Sequence, residues 1–418
     1  MSTTAMLRNA GWVLPGLFFA VGLLIDKTIS VTFFAAGALG IYVTWRYGLL
    51  SSMNREDRWF AAAFVVFGIV SGVAALAAGQ VYPRTFPELE ACARYLFAVP
   101  VFLLIRWARP PAGVVFGAVM FGAIAAGLYG LYQMMGGEQG QEGFVYGGVR
   151  HHIRFGVGAV TLAFVGLTGF DWFYRRGFLP ALLPVLAVFL GLAAAIASGS
   201  RTSWLAIPVL LGIALLVSGH AVPARVRLGV AGAVLLAAVV VWVVPQTGVS
   251  DRVAVGMENI QQYHDERGHI SSVGARLEMW KAAGIIFREN PVLGVGVSGY
   301  SSAVAALVDE GVIRPRTERY LDPHNEYLAV ASSRGVLGLL ALAMLLGVPG
   351  LLFFRASRSS DPEVRAFATA GLMVVVGFAI YGLTHTLSVR TFYITYYTML
   401  VAFFYGMVRS RTGDAFPK

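Results

Sequence analysis

Apolar stretches close to the length of a bilayer crossing recur along nearly the whole chain, and one long interruption between Pro245 and Glu326 breaks the series. Runs such as Trp59 to Gly79, Ala112 to Met135, Phe155 to Phe173, Leu179 to Ala197 and Leu228 to Val244 approach the roughly 20 residues a helix needs to cross hydrocarbon. Lipid offers nothing to an unpaired peptide group, and the runs are too long and too uniformly apolar for barrel strands, so helices are the spans available. Composition excludes a soluble enzyme: 57% of residues are hydrophobic and only 13% charged, while Gly, which lets membrane helices pack closely, reaches 49 of 418. The expected fold class is all-α, a polytopic membrane protein with about 12 transmembrane helices and one large helical loop. The simplest division is residues 1–244 as N-terminal membrane helices, 245–326 as the loop subdomain and 327–418 as C-terminal membrane helices.

Orientation follows from the positive-inside rule. With the first run, Gly11 to Ile25, entering from the cytoplasm, the short inner loops hold Arg46, Arg55, Arg58, Arg106, Arg109, Arg175, Arg176, Arg355 and Arg358. Both termini are then cytoplasmic and the large loop faces outward. The net charge of +10 reads as a topology signal plus attraction to anionic lipid heads, with no call for nucleic acid. The first run lacks a small-residue cleavage site and a second run, Ile29 to Trp45, follows at once, so a retained signal anchor is expected. Cys92 is the one cysteine and lies within a predicted span, which leaves disulfides no part.

Several cations sit against this topology. Arg150 and Arg154 flank His151 and His152 in a short outer loop, and Arg201 lies in the tight turn Ser198-Gly-Ser-Arg-Thr on the same side. With Arg276, Arg288, Arg314, Arg316 and Arg319 of the large loop they make a basic outer surface suited to gripping phosphate oxygens. Each one taken alone is also compatible with snorkelling to lipid heads or with capping helix carbonyls. For Arg201, whose turn is too short to hold a charge at this depth without a partner, function is the favoured reading.

Within the loop, Ser271 to Phe287 has the pattern of a capped helix that stops near Asn290-Pro291. Val273, Leu277, Trp280 and Ile285 form its expected apolar stripe, and Arg276 and Trp280, one turn apart, share a face on which the indole would hold the guanidinium. Gly294-Val-Gly-Val-Ser-Gly has dinucleotide-fingerprint spacing but no strand-turn-helix context, so its glycines are expected to shape a turn before a helix from Ser298 to Val308, with Tyr300 facing a sugar. In Asp322-Pro-His-Asn-Glu-Tyr-Leu, Asp322 is the expected cap, Pro323 the first helical residue and His324 a first-turn imidazole near the positive end of a macrodipole. His324 is a candidate proton acceptor; a helix-end His that bonds backbone or water is the bland alternative.

The order of Ser198-Gly-Ser-Arg201, Arg276-Leu-Glu-Met-Trp280, Asn290-Pro291 with Gly294-Val-Gly296 and Tyr300, then His324-Asn325-Glu326-Tyr327-Leu328 resembles the bacterial O-antigen ligase and polymerase superfamily. So does the layout, with one large periplasmic loop before the last three spans. The resemblance implies a membrane glycosyltransferase class C type of fold in the bacterial inner membrane, with a periplasmic active site. It also implies metal-independent glycosyl transfer from an undecaprenyl-pyrophosphate-linked glycan, with residues matching Arg201, Arg276 and His324 functional. Expected substrate contacts are Arg150, Arg154, Arg288, Arg319, Tyr300, Trp280 and Asn325.

The chemistry suits the residues. A pyrophosphate leaves readily if cations absorb its developing charge, and a sugar hydroxyl needs one base. No cofactor or metal is called for: the outer loop has no Asp-x-Asp or His-x-x-x-His, although Asp322 and Glu326 stand near His324. A ligase acting on a lipid A-core acceptor is preferred because the large loop lies late in the chain. A polymerase or protein O-oligosaccharyltransferase of the same superfamily is the nearest alternative, and a lipid transporter or flippase is the alternative of another class.

Overall fold

The computed structural model describes residues 2–77, 85–136, 144–217, 272–315 and 317–412, with isolated positions between 225 and 239. The predicted span Leu228 to Val244 lies largely outside the described residues, as do Arg316 and the first part of the large loop. Among the described residues all regular structure is helical. We number the α-helices α1 (Thr3–Val21), α2 (Thr28–Tyr47), α3 (Arg55–Ala77), α4 (Thr85–Leu96), α5 (Ala98–Ala108), α6 (Ala112–Met134), α7 (His152–Leu167), α8 (Phe170–Tyr174), α9 (Phe178–Ala197) and α10 (Arg201–Val217). Then come α11 (Ser272–Glu289), α12 (Val297–Asp309), α13 (Glu326–Ala356), α14 (Pro362–Tyr381) and α15 (Thr391–Thr412).

Seven of these, α2, α3, α6, α9, α13, α14 and α15, are long and apolar enough to cross a membrane, and α7 and α10 are shorter apolar helices. The chain is an integral membrane protein. The predicted span that holds Cys92 is instead two helices, α4 and α5, that break at Phe97. Pro100 explains the break: it lacks an N–H, so the carbonyl four residues earlier would go unpaired in a continuous helix, whereas a first-turn Pro is tolerated. Arg94, in α4, is tied to Glu90 at 2.7 Å and to the Thr395 hydroxyl at 2.6 Å.

The bundle is organised around α15, which is buried continuously from Phe392 to Val408 and packs on α5, α14, α4 and α2. At its C-terminal end the fully buried Asp57 accepts hydrogen bonds from the Tyr405 hydroxyl at 2.9 Å, Arg409 Nε at 2.9 Å and Arg106 Nη1 at 3.1 Å, joining α3, α5 and α15. Its other end, about 28 Å away at 1.5 Å per residue, follows Arg390 and faces the polar loops.

The large loop and the membrane helices meet at a break in α13. Gly335 has φ 64 and ψ −158, a conformation essentially confined to Gly, and it interrupts the helical ladder. Four of the groups at the break are taken by the segment between α11 and α12. Val295 and Gly296 donate to the Ser332 and Ser333 carbonyls at 3.0 and 2.9 Å, and Val336 and Leu337 donate to those of Pro291 and Val292 at 2.8 and 3.4 Å. A Cβ on Gly294 would strike the Ser333 and Arg334 backbone, and one on Gly335 the Pro291 and Val292 backbone. The glycine run therefore docks the loop onto a broken helix. Glu88 of α4 completes the joint by accepting from the Val297 and Ser298 amides, at 3.0 and 3.2 Å, at the N-terminus of α12.

Behind this joint, α11 and α12 enclose a small core of Ala282, Ala283, Ile286, Tyr300, Val304, Leu307 and Ile313. The buried stripe of α11 is rotated from the expected one and runs through Ala275, Met279, Ala282, Ala283 and Ile286, with Leu277, Trp280 and Ile285 half-buried. Small Ala side chains permit a closer approach than the large residues on the neighbouring face would, and packing follows that approach.

Candidate functional site

At one end of the bundle four helices, α7, α10, α13 and α15, begin close together. His152 Nδ1 lies 2.9 Å from the Ser198 carbonyl, the Thr384 hydroxyl donates to Thr202 Oγ1 at 3.0 Å, and Glu326 accepts the Leu387 and Ser388 amides at 2.7 and 3.0 Å. Helix N-termini carry unpaired N–H groups and partial positive charge, so their convergence favours an anion.

Asn325, not Asp322, caps α13. Its Oδ1 accepts the Leu328 amide at 3.1 Å and its Nδ2 donates to the Leu383 carbonyl at 3.1 Å, so its side chain is committed to structure. His324 accordingly precedes the helix and has φ 50, the left-handed region where His is one of the better tolerated residues. Asp322 is held back from capping by tertiary bonds. It accepts from the Thr386 hydroxyl at 2.7 Å, Arg390 Nη2 at 2.8 Å and the His324 amide at 3.0 Å. Burial alone would raise its carboxyl, but Arg390, His324 and these hydrogen bonds outweigh it and hold Asp322 below the usual carboxylate value.

Three of the expected residues come together. Burial and the charge of Arg201 both lower Arg276's hold on its proton. His324 is in turn lowered from the ordinary imidazole value, first by burial and then by Arg390 and Arg276, against the opposing pull of Asp322. Arg201 and Arg276, with no ion pair to a carboxylate among the described residues, thus form a cationic pair of which Arg276 acts on an imidazole that holds its proton less tightly than usual. This arrangement can receive an anion and accept a proton.

Other expectations are corrected. Trp280 does not hold Arg276: among the described residues no cation–π contact joins them, and the indole N–H donates across the loop to the Pro323 carbonyl at 3.0 Å, fixing the strand that carries His324. Tyr300 faces no sugar; it is 2% exposed and its hydroxyl donates to the Met279 carbonyl at 3.2 Å. Arg314 is spent on Glu278, at 3.4 Å. Arg288 is exposed at the far end of α11, about 18 Å along the axis from Arg276 at 1.5 Å per residue, and Arg319 is exposed in a 3-10 turn. Arg150 is exposed with φ 51, while Arg154, on the first turn of α7, is half-buried with its guanidinium 6.0 Å from the Phe392 ring.

Arg390 escaped the sequence reading. The topology argument could have found it, since the polar turn Thr384 to Arg390 lies at the same end of the bundle as His151 and Arg154. Buried Arg334, at the α13 kink, also went unremarked; its Nη1 donates to Ser333 Oγ at 3.1 Å and it lies over the Phe67 ring at 5.7 Å.

The fold and site thus define an integral membrane protein, helical among the described residues, whose cation-rich end carries His324. Residues 186–343, which run from α9 through Arg201, Arg276 and His324 into α13, match the family model described as O-antigen ligase, which supports the superfamily resemblance carried by the motifs. An uncharacterized protein of Haemophilus influenzae is 22% identical over 372 residues, 88% of this chain and 91% of the relative, so the similarity extends over the membrane helices on both sides of the matched segment.

Proposed function

We propose that the protein is an O-antigen ligase, which joins polysaccharide carried on undecaprenyl pyrophosphate to the lipid A-core oligosaccharide at the periplasmic face of a bacterial inner membrane. The observation that carries this reading is an electrostatic linkage across three distant parts of the chain, in which the charge of Arg201 acts on Arg276 and that of Arg276 on His324. The family match supports the class of donor and acceptor.

In this mechanism an acceptor hydroxyl oxygen attacks the anomeric carbon of the donor sugar from the face opposite the carrier. The new C–O bond forms as the bond from that carbon to the phosphate oxygen breaks, and the configuration inverts. His324, neutral because it is buried among cations, takes the hydroxyl proton. Undecaprenyl pyrophosphate departs with the electron pair, and the Arg201 and Arg276 guanidiniums absorb the charge that develops on its oxygens. A leaving group so stabilised needs no general acid.

The test is reconstitution of the full chain with purified lipid-linked glycan and lipid A-core, without added divalent metal, and detection of the joined product. A joined product is expected. Lengthening of the lipid-linked glycan without lipid A-core would identify a polymerase instead, and transfer to a protein acceptor a protein O-oligosaccharyltransferase.

A further inference from the structure

Around Arg390 lies a collection of polar groups that the proposed chemistry does not use. Arg390 commits Nη2 to Asp322, yet its Nε is buried and has no hydrogen-bond partner among the described residues. The same is true of Arg154 Nε, His151 Nδ1, His385 Nε2 and the Tyr393 hydroxyl. These groups are neighbours: the His385 and Tyr393 rings are 5.1 Å apart, Arg154 approaches Phe392 next to Tyr393, and the charges of Arg154 and Arg390 act on each other and on His151. Burial and those charges push His151 down to about 4 and His385 down to about 3, so both rings stay neutral and each keeps one N–H to donate.

Natural proteins leave few buried polar atoms unpaired, and five in one place ask for a ligand. The set is rich in donors; among the described residues the carboxylate hydrogen-bonded to it is Asp322, which already accepts from Thr386, Arg390 and the His324 amide, while Asp26 acts on Arg154 through its charge. Water would satisfy single orphans but would leave two guanidiniums repelling each other in a low-dielectric site. A multivalent oxyanion answers both needs, and forked guanidinium donors match phosphate in particular.

We propose that Arg154 and Arg390, with His151, His385 and Tyr393, bind a phosphate group other than the one that faces Arg201 and Arg276. The inference rests on the ligase reading and deepens it. Arg276 of one set and Arg390 of the other both act on His324, and the His324 and His385 rings lie 5.8 Å apart, so the base is shared between two anion sites. The phosphate has two sources: the second phosphate of the carrier, or a phosphate on the acceptor.

Native mass spectrometry of the full chain in nanodiscs tests this with three probes: undecaprenyl pyrophosphate, phosphorylated lipid A-core, and the same lipid A-core after dephosphorylation. Arg154→Gln is expected to weaken at least one phosphorylated probe by about tenfold and to leave the dephosphorylated one unchanged. Weakening of undecaprenyl pyrophosphate assigns the site to the donor, and weakening of lipid A-core to the acceptor. Should Arg154→Gln fail to fold, Tyr393→Phe, which removes one hydroxyl and no charge, gives the reading in its place. Wild-type affinity of the folded variant for both phosphorylated probes overturns the proposal. Failure of the ligase reading shows separately, as a protein that binds undecaprenyl pyrophosphate normally but joins nothing to lipid A-core.

Discussion

His324 Nδ1 lies 3.8 Å from Asp322 Oδ1, the same oxygen that accepts the His324 backbone amide at 3.0 Å. The pair aims the imidazole and, once Nδ1 carries the proton, leaves Nε2 as the acceptor. Asp322→Asn is expected to reduce transfer by about 10²-fold through misplacement of the ring, with a smaller effect on acceptor KM than on kcat. Single-turnover kinetics on the reconstituted protein measures it, and an unchanged rate would reduce Asp322 to a structural tie.

The pH dependence has a definite sign. Because the fold lowers His324 below 6.5, the base stays neutral and transfer persists as pH falls past that value; the rate drops only below the folded pKa. Asp322 is the group that opposes this lowering, so Asp322→Asn moves the acid limb to lower pH, and Arg390→Gln, which removes a cation, moves it higher. The same imidazole is protonated in the unfolded chain below 6.5, so its contribution to stability is lost as pH falls below that value. Opposite displacements of the two rate profiles are the expected result.

His324→Ala is expected to lower transfer by about 10² to 10⁴-fold, the usual worth of a general base, while membrane insertion and melting temperature stay near wild type. Its side chain is partly exposed and caps nothing, so the fold has little stake in it. Transfer at the normal rate would remove the proposed base.

Arg276→Lys keeps the charge and loses the fork. A loss of transfer of about tenfold or more is expected, with undecaprenyl pyrophosphate binding weakened alongside, because a single ammonium cannot grip two phosphate oxygens at once. Full activity would mean that a diffuse positive field suffices.

Gly335→Ala places a methyl against the Pro291 and Val292 backbone in a conformation that only Gly adopts comfortably. A loss of about 1–3 kcal/mol is expected from backbone strain alone. Thermal melting of the full chain and limited proteolysis of residues 290–297 would both report it, the second because the docking bonds are the ones that break.

Much of the architecture was legible because apolar run length is a strong physical signal, and the helices α3, α6 and α9 fall close to where the sequence puts them. Arg201, Arg276 and His324 were singled out because cations set against the expected topology and an imidazole at a helix start need reasons. Less visible was anything set by tertiary partners. Asp322 and Asn325 are both good caps, and only the bonds from Thr386 and Arg390, more than 60 residues away, decide that the aspartate is otherwise engaged. Trp280 and Arg276 do share a helix face, yet the indole is drawn to Pro323, a choice no local spacing encodes. Tyr300 illustrates the same limit, since an aromatic at helical spacing fills a core unless something keeps it out.

The helix at the centre of the bundle is also the last of the described helices to leave the ribosome. Until α15 inserts, Asp57 lacks Tyr405 and Arg409, and the turn that carries Arg390 has no anchor on its C-terminal side. A nascent chain halted before this stage would hold its earlier helices in lipid without assembling the polar end around His324, so on the proposed reading half-made copies of the protein would leave a lipid-linked donor untouched.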